Sequence, residues 1–253
     1  MKIMQINVWG GRIARPLLEL IRDEAPDIIF TQEMYSYPET IPAPSPWAYF
    51  DTLGRIASEA KFEHTFFSAC TTFTIFGRTL SYGNAILSKL PLAQTTTLYT
   101  AGSGPVHFDQ PTTVEHNLTR NYQHAIVDTG RTKLNLINHH AHWAANPAGD
   151  EVSVERLQQV ADYIATLTGP TILCGDLNLS PSSPAFKQFI ANTGLHEALA
   201  GTEVTTTLSP AHYVAEPIQC DHILTSPALK IIHADTSDKI VSDHKAIIAE
   251  IDC

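Results

Sequence analysis

Asp176 and Asn178 stand two residues apart in Gly175-Asp176-Leu177-Asn178, directly after the apolar run Thr171–Cys174. On an extended segment such a pair points the same way, so a carboxylate and an amide can face one phosphate together. Asp243 and His244 are adjacent in Ser242-Asp243-His244 and diverge, so one can meet a cation while the other faces a substrate. Residues of the same kind recur where other apolar runs begin or end. Asn7 and Glu33 close two runs near the start, Asn84 opens Gly83-Asn84-Ala85-Ile86-Leu87, His140 closes Leu134–His140, and Asp221 opens Asp221-His222-Ile223-Leu224. One such residue after a strand is ordinarily a turn former or a helix cap. Seven such places gathered at one edge would be different, because their carboxylates repel unless a cation neutralises them. Hard oxygen donors with few sulfurs suit Mg²⁺, with Mn²⁺ as a substitute. A cation for the oxygens, a carboxylate for a water, and amide or imidazole donors for the remaining charge are what phosphoryl transfer needs.

The elements that must position these groups are short. Strands are expected at Lys2–Val8, Asp27–Gln32, Thr65–Ala69, Phe73–Phe76, Ala85–Ser88, Leu92–Tyr99, Ala125–Asp128, Lys133–Asn138, Thr171–Cys174, Asp221–Thr225, Leu229–His233 and Ala246–Ile251. Helices are expected around Ile13–Ala25, with Pro26 as a stop, at Leu53–Ala60, across Leu157–Leu167 and at Ser183–Asn192. So few helices cannot cover both faces of one parallel sheet. The pattern fits an α/β protein with two mixed sheets packed face to face and helices outside, a four-layer sandwich, as a single domain over residues 1–253. Ser36–Pro46 and Ala101–Arg120 read as loops, and specificity is expected to reside there.

The composition limits the partners. With 16 Lys+Arg against 26 Asp+Glu the net charge is −10, and no basic run is present, so long duplex DNA is not the favoured substrate. Four cysteines without a C-x-x-C pair suggest no disulfide framework, and no stretch has the apolar length of a signal peptide core or a membrane span. The expected location is cytoplasmic. Cys174 reads as core, and Trp9, Tyr82 and Trp143 as packing residues, with lining of the pocket as the second reading. His64, His107, His116, His124, His196, His212 and His233 read as ordinary histidines.

The segments Ile6-Asn7-Val8-Trp9, Gln32-Glu33, Gly83–Leu87, Asn138-His139-His140, Gly175–Asn178, Asp221–Leu224 and Ser242–His244, taken in this order, resemble the endonuclease/exonuclease/phosphatase superfamily. That resemblance implies a deoxyribonuclease-like fold and divalent-metal-dependent hydrolysis of phosphodiesters or phosphomonoesters by in-line attack of water. It implies Glu33 as principal metal carboxylate, Asn7 and Asp243 as accessory ligands, and Asp176 with Asn178 as the pair that aligns the water. It further implies His244 as a phosphate-facing donor held by Asp221, His140 as its counterpart, and Asn84 as a substrate contact. His139-His140-Ala141-His142-Trp143 departs from the usual Asn-Thr-His-Leu pattern, and His140 is aligned to the catalytic position. Small-molecule or nucleic-acid substrates are both left open, and so is endo- or exonuclease action. A zinc site at His139, His140 and His142 and a metal-binding scaffold without activity are the rival readings.

Overall fold

The computed structural model describes residues 1–39, 48–110, 117–214 and 216–253. In chain order the elements are β1 (Lys2–Asn7), α1 (Ala14–Glu24), β2 (Ile28–Ser36), α2 (Thr52–Glu59), β3 (His64–Ile75), β4 (Arg78–Ser88), β5 (Leu92–Ala101), β6 (Val106–Phe108), β7 (Arg120–Asp128) and β8 (Lys133–His140). They continue with α3 (Glu151–Thr166), β9 (Thr171–Asp176), α4 (Pro184–Thr193), β10 (His196–Glu197), β11 (Asp221–Thr225), β12 (Lys230–Thr236) and β13 (Ile247–Asp252). One sheet has the order β12-β13-β1-β2-β4-β3-β6, the other β10-β11-β9-β8-β7-β5.

Alternation along the strands explains the layers. Ile3, Ile28, Phe30 and Ile86 of the first sheet meet Val127, Leu136, Ile172, Cys174 and Ile223 of the second in one buried cluster. The residues between them face outward. Met4, Ile6, Ile29 and Leu87 pack against Leu17, Leu20 and Ile21 of α1 and Ile56 of α2. Ile137, Leu173 and Leu224 pack against Leu157 and Val160 of α3 and Phe186 and Phe189 of α4. Central strands are thus apolar on both faces, which is why they read as unbroken apolar runs. The result is the expected four-layer sandwich. No helix among the described residues is long and apolar enough to cross a membrane.

Three expectations change in the structure. The two short strands around residues 65–76 are one strand, β3, with a register shift between Ala69 and Thr71. The strand expected at Ala85–Ser88 begins seven residues earlier, because β4 is paired with β3 along its length and with β2 from Ser81 onward. The loop expected at Ala101–Arg120 contains β6, which pairs in parallel with β3 through Thr71, Thr72 and Phe73. Residues 111–116, with His116, and residues 40–47 of the proline-rich loop lie outside the described residues.

Topology brings the polar residues to one edge. β1 runs parallel to β2, and β8 parallel to β9, so their carboxyl ends share a side. The antiparallel β11 starts there, with Asp221 opposite Asp176. The antiparallel β13 starts near Gln5, so the preceding Asp243-His244 reaches the same edge. Gly175 permits close approach of β8 and β9, since a Cβ at that position would run into the His139 carbonyl oxygen.

Candidate active site

Each inner strand face becomes polar towards this edge: Ile3, Gln5, Asn7 in β1; Ile28, Phe30, Gln32 in β2; Leu134, Leu136, Asn138, His140 in β8; Ile172, Cys174, Asp176 in β9. The penultimate positions form a buried amide ladder between the sheets. Gln5 Nε2 donates to Gln32 Oε1 (2.6 Å), Gln32 Nε2 to Asn138 Oδ1 (2.6 Å), and Asn138 Nδ2 to Gln123 Oε1 (2.8 Å). Asn138 Nδ2 also reaches the carbonyls of Thr31 and Ala85, both at 3.0 Å, across the sheet interface. Gln5 Nε2 lies 3.4 Å from Asp221 Oδ1. The ladder is thus the floor of the site.

Above it, Asn7 Nδ2 donates to Glu33 Oε1 (3.1 Å) and Asp176 Oδ2 (3.0 Å), while its oxygen accepts the Trp9 N–H (3.1 Å). Glu33 follows the inward Gln32 and in a regular strand would face away. It adopts φ +58° inside a register shift between Thr31 and Met34, and this bulge turns its carboxylate onto the site. Asp176 Oδ1 accepts the N–H of Asn178, and Asn178 Nδ2 donates to the Ala141 carbonyl. His140 Nε2 lies 3.6 Å and His244 Nε2 3.9 Å from Asp176 Oδ2. His244 Nδ1 donates to Asp221 Oδ2 at 2.8 Å. Ser242 Oγ donates to Asp243 Oδ1 at 3.1 Å. These contacts join the expected residues other than Asn84 and Asp243, and Asp243 lines one cavity with Glu33, His140, Asp176, Asn178 and His244. Asn84 adjoins it, lining the same cavity as Glu33 and His140, with its Nδ2 donating to Asn121 Oδ1 at 2.8 Å.

The electrostatics favour a cation and an anion together. Burial, reinforced by the charge of Asp221, pushes the Asp176 carboxyl up to about 6, against the pull of His244 and Asn7. Burial also raises Asp243, and the charge of Glu33 adds to this against His244. For Asp221, burial is outweighed by the His244 charge and hydrogen bond, so its carboxyl is held low and His244 well above its usual range. Among the described residues, no Lys or Arg lies within the 4.0 Å of an ion pair from Glu33, Asp176, Asp221 or Asp243. Oxygen-rich, mutually repelling and unneutralised by lysine or arginine, Glu33 and Asp243 with Asn7 beside them fit a hard divalent cation. Donor atoms of His212, Asp243 and His244 also lie within 4.8 Å of one another.

A titration prediction follows from the sign of these shifts. A carboxyl raised in the fold stabilises while protonated, so the contribution of Asp176 is present below about pH 4 and lost as pH rises through about 6. A bound cation favours the charged form. In cation-free protein the Asp176 carboxyl, followed by ¹³C NMR, is expected to titrate near 6, and Mg²⁺ should move the midpoint down with release of protons. A midpoint near the ordinary 3.8, unmoved by Mg²⁺, would contradict this account.

A sequence model of the endonuclease/exonuclease/phosphatase family matches residues 4–244. The chain belongs to that family. Solved structures agree on the family's fold. A family member from Beutenbergia cavernae superposes with TM-score 0.72 at 19% identity, over 99% of this chain and 71% of the other. A Bacteroides thetaiotaomicron mannosyl-6-phosphatase gives 0.68 at 15% identity, over 100% of both chains. D. rerio TDP2 complexed with a single-strand DNA product gives 0.71 at 18% identity, over 100% and 99%. No curated protein matches the sequence.

Some site neighbours differ from the first expectation. Trp9 and Tyr82, expected first as packing residues and second as pocket lining, line the cavity. Burial and the adjoining charge of Glu33 hold Tyr82 well above its usual range. His212, expected as ordinary, packs edge-on against His244 with ring centroids 5.7 Å apart. Gln5 carried a readable signal, a polar residue at an inward position of an apolar strand. The three neighbouring histidines diverge, which argues against a shared zinc. His139 is buried against the Asn121 carbonyl and held down to about 4 by burial, His140 faces Asp176, and His142 pairs with Asp150 at 3.2 Å.

Proposed function

We propose that this protein hydrolyses phosphate esters with a divalent cation, Mg²⁺ first and Mn²⁺ as a substitute, using residues 1–253 as one domain. The observation that carries this reading is the meeting of Asp176, His140 and the Asp221–His244 pair beside Glu33. When bound by Glu33 and Asp243, with Asn7 beside them, the cation would supply neutralisation of the phosphate oxygens. Asp176 accepts a proton from a water that Asn178 helps to align, and that water's oxygen bonds to phosphorus. His244, fixed in one tautomer by Asp221, donates from Nε2 to a non-bridging oxygen as charge grows. His140 donates from the other side and gives its proton to the departing alcohol, whose oxygen keeps the electron pair of the broken ester P–O bond. Asn84 borders the substrate.

The cavity at the site has two lobes, of roughly 280 and 300 Å³, at the small end of ligand sites. That size and the net charge of −10 favour a small phosphoester over a long polyanion. The solved mannosyl-6-phosphatase gives this reading a precedent on the same fold. A second reading, single-stranded nucleic acid, is favoured by Tyr213 and Trp143, which are 81% and 37% exposed beside the second lobe and could stack bases. Four unpaired cysteines, three of them buried, suit a reducing cytoplasm. The test is a panel of small phosphomonoesters, phosphodiesters and single-stranded oligonucleotides, assayed after EDTA treatment and again with added Mg²⁺ or Mn²⁺. Turnover of at least one small ester that EDTA abolishes and Mg²⁺ restores is expected, and metal-independent turnover or none at all would refute the proposal.

A further inference from the structure

A buried guanidinium is tolerable where a carboxylate or an anionic ligand faces it, and costly where neither does. Arg120, the first residue of β7, is only 6% exposed. Its Nε is sealed from solvent without a hydrogen-bond partner. Among the described residues no carboxylate lies within the 4.0 Å of an ion pair from its side chain. The residue borders both lobes of the cavity, at the junction it shares with Glu33 and His140. Arg12, whose guanidinium stands 4.6 Å from the centre of the Trp9 ring, lines the first lobe as well. Among the described residues Glu33 is the one acid lining that lobe. Two arginines in so small a space, in a chain of net charge −10, are a specific feature rather than a general basic surface.

The two lobes differ in chemistry. Asp176 and Asn178, which align the water, border the second lobe and not the first. In an in-line displacement the departing oxygen leaves opposite the water, so the alcohol lies towards the first lobe. We propose that the first lobe receives this departing alcohol, and that the alcohol carries a second oxyanion, phosphate or carboxylate, bound by Arg120 with Arg12 at the outer end. The inference rests on the phosphoesterase reading above and narrows its substrate class to small esters with two anionic groups. Arg120 supplies a planar fork of donors suited to either oxyanion.

The test uses a matched series: propyl phosphate, 3-(phosphonooxy)propanoate and propane-1,3-diyl bisphosphate, assayed with Mg²⁺. The wild type is expected to prefer a doubly anionic ester by about 10- to 100-fold in kcat/KM, mainly through KM. The better of the two esters that carry a second anionic group identifies the oxyanion. Arg120→Gln should lower kcat/KM for that ester at least tenfold more than for propyl phosphate, and Arg120→Lys should recover part of the difference. A preference absent from the wild type, a preference that survives Arg120→Gln, or an equal loss on all three esters would overturn the proposal. A second arm needs no turnover. In EDTA, inorganic phosphate should raise the Tm of the wild type and not of Arg120→Gln, while the ligand-free variant should melt no lower than the wild type. A phosphate effect of equal size in both proteins would overturn the oxyanion site. Phosphate binding through Arg120 without hydrolysis of any ester would instead sink the phosphoesterase reading, and the two failures are thereby told apart.

Discussion

Asp176→Asn is expected to lower kcat by about 10²- to 10⁴-fold, the range for removing a positioned proton acceptor. Asparagine keeps the shape of the side chain but cannot take a proton from water. It also removes one of two facing carboxyls, because Asp221 lies opposite in the ladder of β9 and β11. That repulsion is part of what raises the Asp176 carboxyl to about 6. The substitution should therefore leave cooperative unfolding intact and KM little changed. The measurement is steady-state kinetics on an ester the wild type turns over, together with a thermal melt. A fall in kcat of less than tenfold in a folded variant would remove Asp176 from the role of proton acceptor.

The second large effect is on stability. Asn138→Ala deletes an amide that receives Gln32 Nε2 and donates towards Thr31, Ala85 and Gln123, all buried. Each buried group left without a partner costs about 1–3 kcal/mol, and alanine also leaves a void. A loss of about 3–5 kcal/mol in all is expected, which in a protein of this size is a Tm drop of about 6–20 °C. Thermal and denaturant melts would check it. A Tm within 2 °C or so of the wild type would show that water replaces the amide and that the ladder does not hold the sheets together.

The sandwich was legible because its evidence is periodic. Apolar runs of strand length and a few amphipathic helices specify layers without any contact being known. The edge was legible for a related reason, since Asn7, His140, Asp176 and Asp221 end or begin strands whose direction follows from the fold. Glu33 was not legible from alternation, which would put it on the opposite side from Gln32. A one-residue bulge with a left-handed backbone decides its direction, and nothing in Thr31-Gln32-Glu33-Met34 announces it. Arg120 was hidden for another reason. In sequence it is one of several scattered basic residues, and only the burial of its side chain, with no carboxylate of the described residues in ion-pair range, sets it apart. His212 reaches the site from the irregular segment before β11, where no periodicity guides the reading.

β1 lies between β2 and β13, and the strand that completes its second side is the last one in the chain. Its backbone donors and acceptors on that side have no partner until about 240 further residues have been added. As the nascent chain leaves the ribosome, this first strand must wait with one flank open to wrong pairings. Such long-range closure makes for slow folding, and His244, which precedes β13, meets Asp176 only across a long stretch of chain.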